Sequence, residues 1–315
     1  MHSIGRVSRR EWARGVALGG ASLATGAAEA AIPEQLATGL VDAHAHVWTP
    51  DREAYPLADG FTPADMRPPS FTAEELLATC RPLGVSRVVL IQMSFYGSDN
   101  RFMLDSMARH QGTLGGVAIV DHERAGVAGR MRDLAARGVR GFRLYASPDK
   151  AAAWDRRGGV GEMWTCGADE DLAMCLLADP ESLPIIGRWC ADHPRTPVVI
   201  DHFARIGMRG QIDRGQLDQL LALARHPLVH VKTSAFYALG RKQPPYDDLG
   251  GMIRELRDAF GARRLMWATD CPYQVGEGHG YAASLALVRD RLDFLTPDDR
   301  AAMLRDTATR LFFRS

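Results

Sequence analysis

Apolar runs recur along the chain at near-regular intervals, at residues 40–47, 87–94, 114–120, 139–145, 172–178, 197–202, 228–234 and 264–270. Most are continuous rather than alternating, which is the pattern of parallel strands buried on both faces. Between them lie segments whose apolar residues repeat at helical spacing: 72–83, 123–137, 184–193, 215–225, 246–260 and 282–292. Eight strand and helix alternations predict an α/β fold, a closed (β/α)8 TIM barrel. An extra C-terminal helix is expected to follow, capped by Thr296 with Pro297 at its first position and running to Phe312. Gly84, Gly138 and Gly261 stand where a helix ends and a strand begins, as a left-handed C-cap requires. An open doubly wound sheet is the competing fold, weakened because no Gly-x-Gly-x-x-Gly turn follows the first strand.

The length changes this picture little, because such barrels commonly fill roughly 250 residues as one domain. Residues 31–315 are therefore read as a single catalytic domain. Lys plus Arg and Asp plus Glu balance at 38 each, and the arginines are scattered rather than in runs, so nucleic acid is not an expected partner. Residues 1–30 are set apart. Ser8-Arg9-Arg10 precedes a Gly- and Ala-rich stretch and then Ala28-Glu29-Ala30, which reads as a twin-arginine export signal and predicts a periplasmic or secreted protein. Its apolar part is shorter than the roughly 20 residues that cross a bilayer, so no membrane embedding is expected. The oligomeric state is left open. Five cysteines form no Cys-x-x-Cys pair and are read mainly as small buried apolar residues, with one disulfide among Cys166, Cys175 and Cys190 as an alternative.

Candidate chemistry sits at the ends of the predicted strands. His44 and His46, spaced i and i+2, share one face of the first. His202 ends the sixth, where Val198, Ile200 and His202 should share a face, and Asp270 ends the eighth in line with Met266 and Ala268. In a barrel these four can meet at the C-terminal rim, where such enzymes carry their active sites. Gln92 and Ser94, Arg143 and Tyr145, and His230, Lys232 and Ser234 are candidates to line a polar substrate pocket. Lys232 is expected to pair with Asp201 or Asp270, and Arg143 is either a carboxylate clamp or a structural ion-pair member. His110, His122, His193 and His226 are read as unpartnered surface residues, and His279, in the Gly-rich loop 276–280, either closes over a ligand or belongs to a merely flexible loop.

Several ordered motifs together resemble the amidohydrolase-related branch of the amidohydrolase superfamily. They are Val41-Asp42-Ala43-His44-Ala45-His46-Val47-Trp48, Gln92-x-Ser94-x-Tyr96-Gly97-x-Asp99-Asn100, Gly138-Val139-Arg140-Gly141-Phe142-Arg143, Val199-Ile200-Asp201-His202-Phe203-Ala204-Arg205 and Met266-Trp267-Ala268-Thr269-Asp270-Cys271-Pro272. That branch includes lactonases acting on 2-pyrone-4,6-dicarboxylate, sulfomuconolactone and sugar lactones. The resemblance implies that Asp270 takes a proton from water while His44, His46 and His202 orient or polarise a carbonyl, so that a lactone of a small polar or anionic metabolite opens. It implies a substrate-binding set of Arg143, Gln92, Ser94, Tyr96, Asn100, Tyr145, Lys232 and Arg205. A single zinc or manganese, if bound, would sit on His44, His46, Asp270 and His202. The fifth strand offers Cys175 and no histidine, a departure from metal-dependent relatives, and the site is read as acting without a metal. The alternatives are a metal-dependent decarboxylase or amidohydrolase of the same fold, and a non-catalytic protein that binds lactones or sugar acids.

Overall fold

The computed structural model describes residues 38–156 and 158–314; the expected export segment, residues 1–30, lies outside them. Eight strands form one parallel sheet in sequence order: β1 (Leu40–Ala45), β2 (Val85–Ile91), β3 (Leu114–Ala118), β4 (Val139–Ala146), β5 (Ala173–Ala178), β6 (Val198–Ile200), β7 (Val229–Thr233) and β8 (Leu265–Trp267). The sheet returns on itself through a parallel bridge between Ala45 and Cys271, with Asp270 N–H donating to His44 O (2.8 Å) and His46 N–H to Cys271 O (2.8 Å). The expected (β/α)8 barrel is the observed fold. Its helices include α1 (Ala73–Cys80), α2 (Arg101–Arg109), α3 (Val127–Ala136), α4 (Pro148–Ala152), α5 (Gly158–Asp169), α6 (Leu183–Asp192), α7 (Arg214–Ala222), α8 (Gly250–Phe260) and α9 (Tyr281–Ala286).

The seam between the last strand and the first is held by Asp42. Its buried carboxylate accepts from His44 N (3.1 Å), Thr269 N (3.0 Å), Thr269 Oγ1 (2.5 Å) and Tyr281 Oη (2.8 Å). Burial pushes this carboxyl up, and the four donors act against that rise. One acid thus ties β1 to the chain just beyond β8 and fixes the frame in which His44 and Asp270 face each other.

The C-terminal helix begins as expected. Thr296 Oγ1 accepts from Asp299 N (3.1 Å) and Asp299 answers to Thr296 N (3.0 Å), a capping box opening α10 (Pro297–Ala301). A π turn at Ala302–Asp306 leads into α11 (Thr307–Phe312), whose Ala308, Leu311 and Phe312 pack with the barrel interior against Val41, Val89, Val117 and Met266. Gly84, at φ 87° and ψ 4°, is the expected left-handed cap, closing the 3-10 turn Arg81–Leu83 that follows α1, whereas Gly261 after α8 has φ 75° with ψ 145° and is not a left-handed cap.

Two local features break strand parity, and both serve the site. In β1, Val41 and Ala43 belong to the interior cluster and Ala45 to the outer layer; the register slips between Asp42 and Ala45, so His44 and His46 both turn inward. In β6 the expected face is reversed. Val198 and Ile200 pack in the outer layer, while Val199 faces the interior. His202 reaches the site because residues 202–205 all take positive φ (52°, 54°, 52° and 63°), which turns the chain immediately after the strand and delivers Asp201 and His202 together.

Candidate active site

His44, His46, His202 and Asp270 converge at the C-terminal end of the barrel, as anticipated. Asp270, at φ 68° and 7% exposed, is the hub. Its Oδ1 lies 3.0 Å from His46 Nε2, 3.5 Å from His44 Nε2 and 3.8 Å from His202 Nε2, and its Oδ2 accepts a 2.7 Å hydrogen bond from Tyr237 Oη. Burial would raise the Asp270 carboxyl, but His202, the His46 hydrogen bond and the charges of His44 and His46 outweigh it and hold the group well below the usual carboxylate range. Asp270 is therefore an anion in neutral solution. Burial, with Asp270 and Asp201 opposing it, keeps His202 below its ordinary value, and burial and Lys232 hold His44 well below its own.

Hydrogen bonds assign most ring protons. His46 Nδ1 donates to Ile91 O (2.7 Å), leaving Nε2 toward Asp270. Ser234 Oγ donates to Lys232 O (3.4 Å) and so accepts from His202 Nδ1 (2.8 Å), which turns the His202 Nε2 lone pair toward Asp270. Below them Lys232, with no exposed surface, lies 3.0 Å from Asp201 Oδ1 and 3.2 Å from His44 Nδ1. Of the two partners proposed for Lys232, Asp201 is the observed one.

His46, His202, Tyr237 and Asp270 line one part of a cavity of about 290 Å³, which His44, Asp201 and Lys232 do not reach. Arg143, Ser94, Tyr145 and Arg205 line it, as expected. Arg143 is 8% exposed, its Nε makes no hydrogen bond, and no carboxylate of the described residues pairs with it; its guanidinium lies 5.4 Å from the Tyr145 ring. Arg205 is committed instead to Asp179 at 2.7 Å. The other walls are apolar, with Met93, Leu177, Met208 and Leu239 prominent.

Several anticipated residues lie elsewhere. Gln92 donates to Asp99 O (2.6 Å), Asn100 ties Ser98 O and Ile119 across its loop, and Tyr96 Oη accepts from Thr49 N (3.2 Å); all three brace the rim and none lines the cavity. His230 is buried early in β7, donating to Leu228 O (3.0 Å). The histidines read as unpartnered have partners: His110 meets Glu74 (3.1 Å), His193 stacks on Trp189 (5.0 Å), His226 accepts from Arg225 (3.1 Å), and His122 is also engaged. His279 does not line the cavity; it lies behind Tyr237, 2.9 Å from Tyr246 Oη and 6.0 Å from the Tyr237 ring. All five cysteines are buried free thiols, so no disulfide forms among Cys166, Cys175 and Cys190. Tyr237 was missed. It sits in the loop after β7 beyond Ala235 at φ 56°, and no periodicity marks such a position.

His44, His46 and Asp270 form one group of ligand atoms close enough to share a cation, and His44, Asp201 and His202 form another. In the first, the edges of 3.0, 3.3 and 3.5 Å approach the ligand spacing of about 3.3 Å that a tetrahedral ion with bonds near 2.0 Å would demand. His46 points the same way. Its single Nδ1 proton satisfies Ile91 O, so the contact with Asp270 needs a second proton or a shared cation between them. The donor set therefore fits one divalent ion.

Fold and site define a barrel hydrolase built around a carboxylate and three histidines. The chain belongs to the Amidohydrolase family, whose profile matches residues 41–314. It is 29% identical over 290 residues to an L-fucono-1,5-lactonase of Burkholderia ambifaria, covering 87% of this chain and 96% of that protein. It is 26% identical to a 4-sulfomuconolactone hydrolase of Hydrogenophaga intermedia, covering 87% and 88%. An amidohydrolase from Burkholderia multivorans, solved with bound zinc, superposes with a TM-score of 0.74 at 20% identity, covering 88% of this chain and 99% of that one. No helix among the described residues is long and apolar enough to cross a membrane.

Proposed function

We propose that the protein hydrolyses a lactone, with Asp270 as the group that receives the proton of the attacking water. The observation that carries this reading is the convergence of Asp270 with three histidines at the closed end of a small cavity whose one unpaired buried charge is Arg143. Relatives named for two lactone-opening activities support it. A water between Asp270 Oδ1 and His202 Nε2 would face two acceptors. As its oxygen bonds to the lactone carbonyl carbon, one proton passes to Asp270. The ring C–O bond then breaks and the departing oxygen takes that proton, leaving a hydroxy acid. Because Asp270 is a weak base, the carbonyl must itself be polarised as the water attacks. Tyr237 holds the second carboxylate oxygen and leaves Oδ1 for the water.

The walls also speak to the substrate. Apart from Asp270, no Asp, Glu, Asn or Gln lines the cavity, so the many hydroxyls of a sugar lactone would find few acceptors. A lactone with an exocyclic carboxylate and few hydroxyls matches Arg143 and the apolar walls better. A divalent ion, when bound, would be held by His46 and Asp270, and by His44 where its Nε2 is bare, and would supply Lewis-acid polarisation or a more acidic water; the requirement for one is a second reading, favoured by the His46–Asp270 contact. Turnover of carboxylated and sugar lactones, with NMR identification of the hydroxy acid, tests the proposal, and absence of any ring-opened product would refute it. The twin-arginine signal in residues 1–30 is likewise proposed, and fractionation of cells expressing the full chain should place the protein in the periplasm.

A further inference from the structure

A buried lysine lies against the back of the histidine cluster, and lactone opening as derived above gives it no task. Lys232 Nζ, without solvent exposure, is 3.2 Å from His44 Nδ1 in hydrogen-bonding geometry. An ammonium has donors and no acceptor, so this contact makes His44 Nδ1 the acceptor and places the ring proton on Nε2. That is the nitrogen that faces His46 Nε2 at 3.3 Å and Asp270 Oδ1 at 3.5 Å. Metal ligation needs the opposite tautomer, with Nε2 bare and Nδ1–H given to an acceptor behind it. Such an acceptor is present. Asp201 Oδ1 lies 3.4 Å from His44 Nδ1, and both Asp201 oxygens are buried outside hydrogen-bonding geometry, with Lys232 Nζ the nearest cation at 3.0 Å.

We propose that Lys232 is a positioning residue that keeps His44 a hydrogen-bond donor toward Asp270 and so keeps it out of the ligand set of any divalent ion. Lys232 sets the tautomer and Asp201 is the competing acceptor. With the lysine in place, His44 brings no bare nitrogen to the triangle it forms with His46 and Asp270, and zinc is held weakly there. With the amine removed, Asp201 takes the Nδ1 proton, His44 presents Nε2, and the triangle of ligand atoms is complete. The inference concerns ion affinity and stands whether or not the lactonase reading holds.

The experiment is a zinc titration of the full chain against a chromophoric chelator, for wild type and Lys232→Met, with zinc content measured after dialysis. The variant should bind zinc about 10- to 100-fold more tightly and retain close to one equivalent, since partners behind a ligating histidine are worth that much in affinity, while Lys232→Arg should behave as wild type. Equal or weaker zinc binding by Lys232→Met, or a full equivalent of tightly held zinc in wild type, would overturn the proposal. Should Lys232→Met fail to fold, wild type labelled with ¹⁵N-histidine and stripped of metal decides the matter by NMR. His44 protonated on Nε2 is the expected result, and protonation on Nδ1 would refute the assignment.

Discussion

Removing the Tyr237 hydroxyl isolates the support given to the proposed base. In Tyr237→Phe the ring keeps its neighbours, Tyr273 at 6.3 Å and His279 at 6.0 Å, and loses only the 2.7 Å hydrogen bond to Asp270 Oδ2. A hydrogen bond to a charged group contributes about 1.5–3 kcal/mol, and this one is shielded from water. If it serves to fix the carboxylate for water attack, the loss appears in the transition state and kcat falls about 10- to 100-fold, at 1.36 kcal/mol per decade. KM should change little, because the hydroxyl is committed to Asp270. Steady-state kinetics from pH 4 to 8, with a melting curve for each protein, give the answer. A variant within threefold of wild type in kcat at every pH, whether or not its melting point drops, would refute the positioning role.

Arg143→Met should lower kcat/KM for carboxylated lactones by roughly 10-fold or more, the cost of a buried charge-assisted contact, and leave neutral lactones nearly untouched; equal losses on both would remove Arg143 from substrate recognition. Asp42→Ala strands the donors at the barrel seam, three of them besides the backbone of His44, and should cost at least about 3 kcal/mol in urea unfolding; a change below 1 kcal/mol would show the seam is held elsewhere. Burial pulls His230 down to about 4 from an ordinary 6.5. A depressed histidine contributes stability that is present above its unfolded pKa and lost as pH falls through the folded value, here from about 6.5 to about 4 and amounting to about 3 kcal/mol. His230→Gln should flatten the unfolding free energy across that window, although His44 and His202 bend it in the same direction.

The barrel was legible because its signal is distributed: each strand is an apolar run long enough to register, and each loss of one would still have left the alternation. What hid was what depends on one or two residues. Helix α5 begins with Gly158 and Gly159 and holds Gly161 and Gly167, which dilute helical spacing, yet Gly167 packs so closely on Leu172 O that a Cβ would sit 2.8 Å from it. The four histidine and aspartate positions could be read because each ends an apolar run. The route that brings them together could not, since a register slip in β1 lies between Asp42 and Ala45 and four successive positive-φ residues after β6, rather than the strand's own alternation, deliver His202. Gln92, Tyr96 and Asn100 carry polar groups suited to substrate, and the backbone of their own loop claimed them first. Tyr237 and the unpaired state of Arg143 arise only from distant segments meeting.

The most direct measurement is proton release at constant pH by wild type and Asp270→Asn across carboxylated, muconolactone-type and sugar lactones. Wild type should release protons stoichiometrically with ring opening, fastest on a carboxylated lactone. Asp270→Asn should fall at least about 1,000-fold, a loss on the order of 4 kcal/mol. Asparagine at 270 turning over a lactone at the wild-type rate, or a wild type inert to every lactone with and without zinc, would contradict the account.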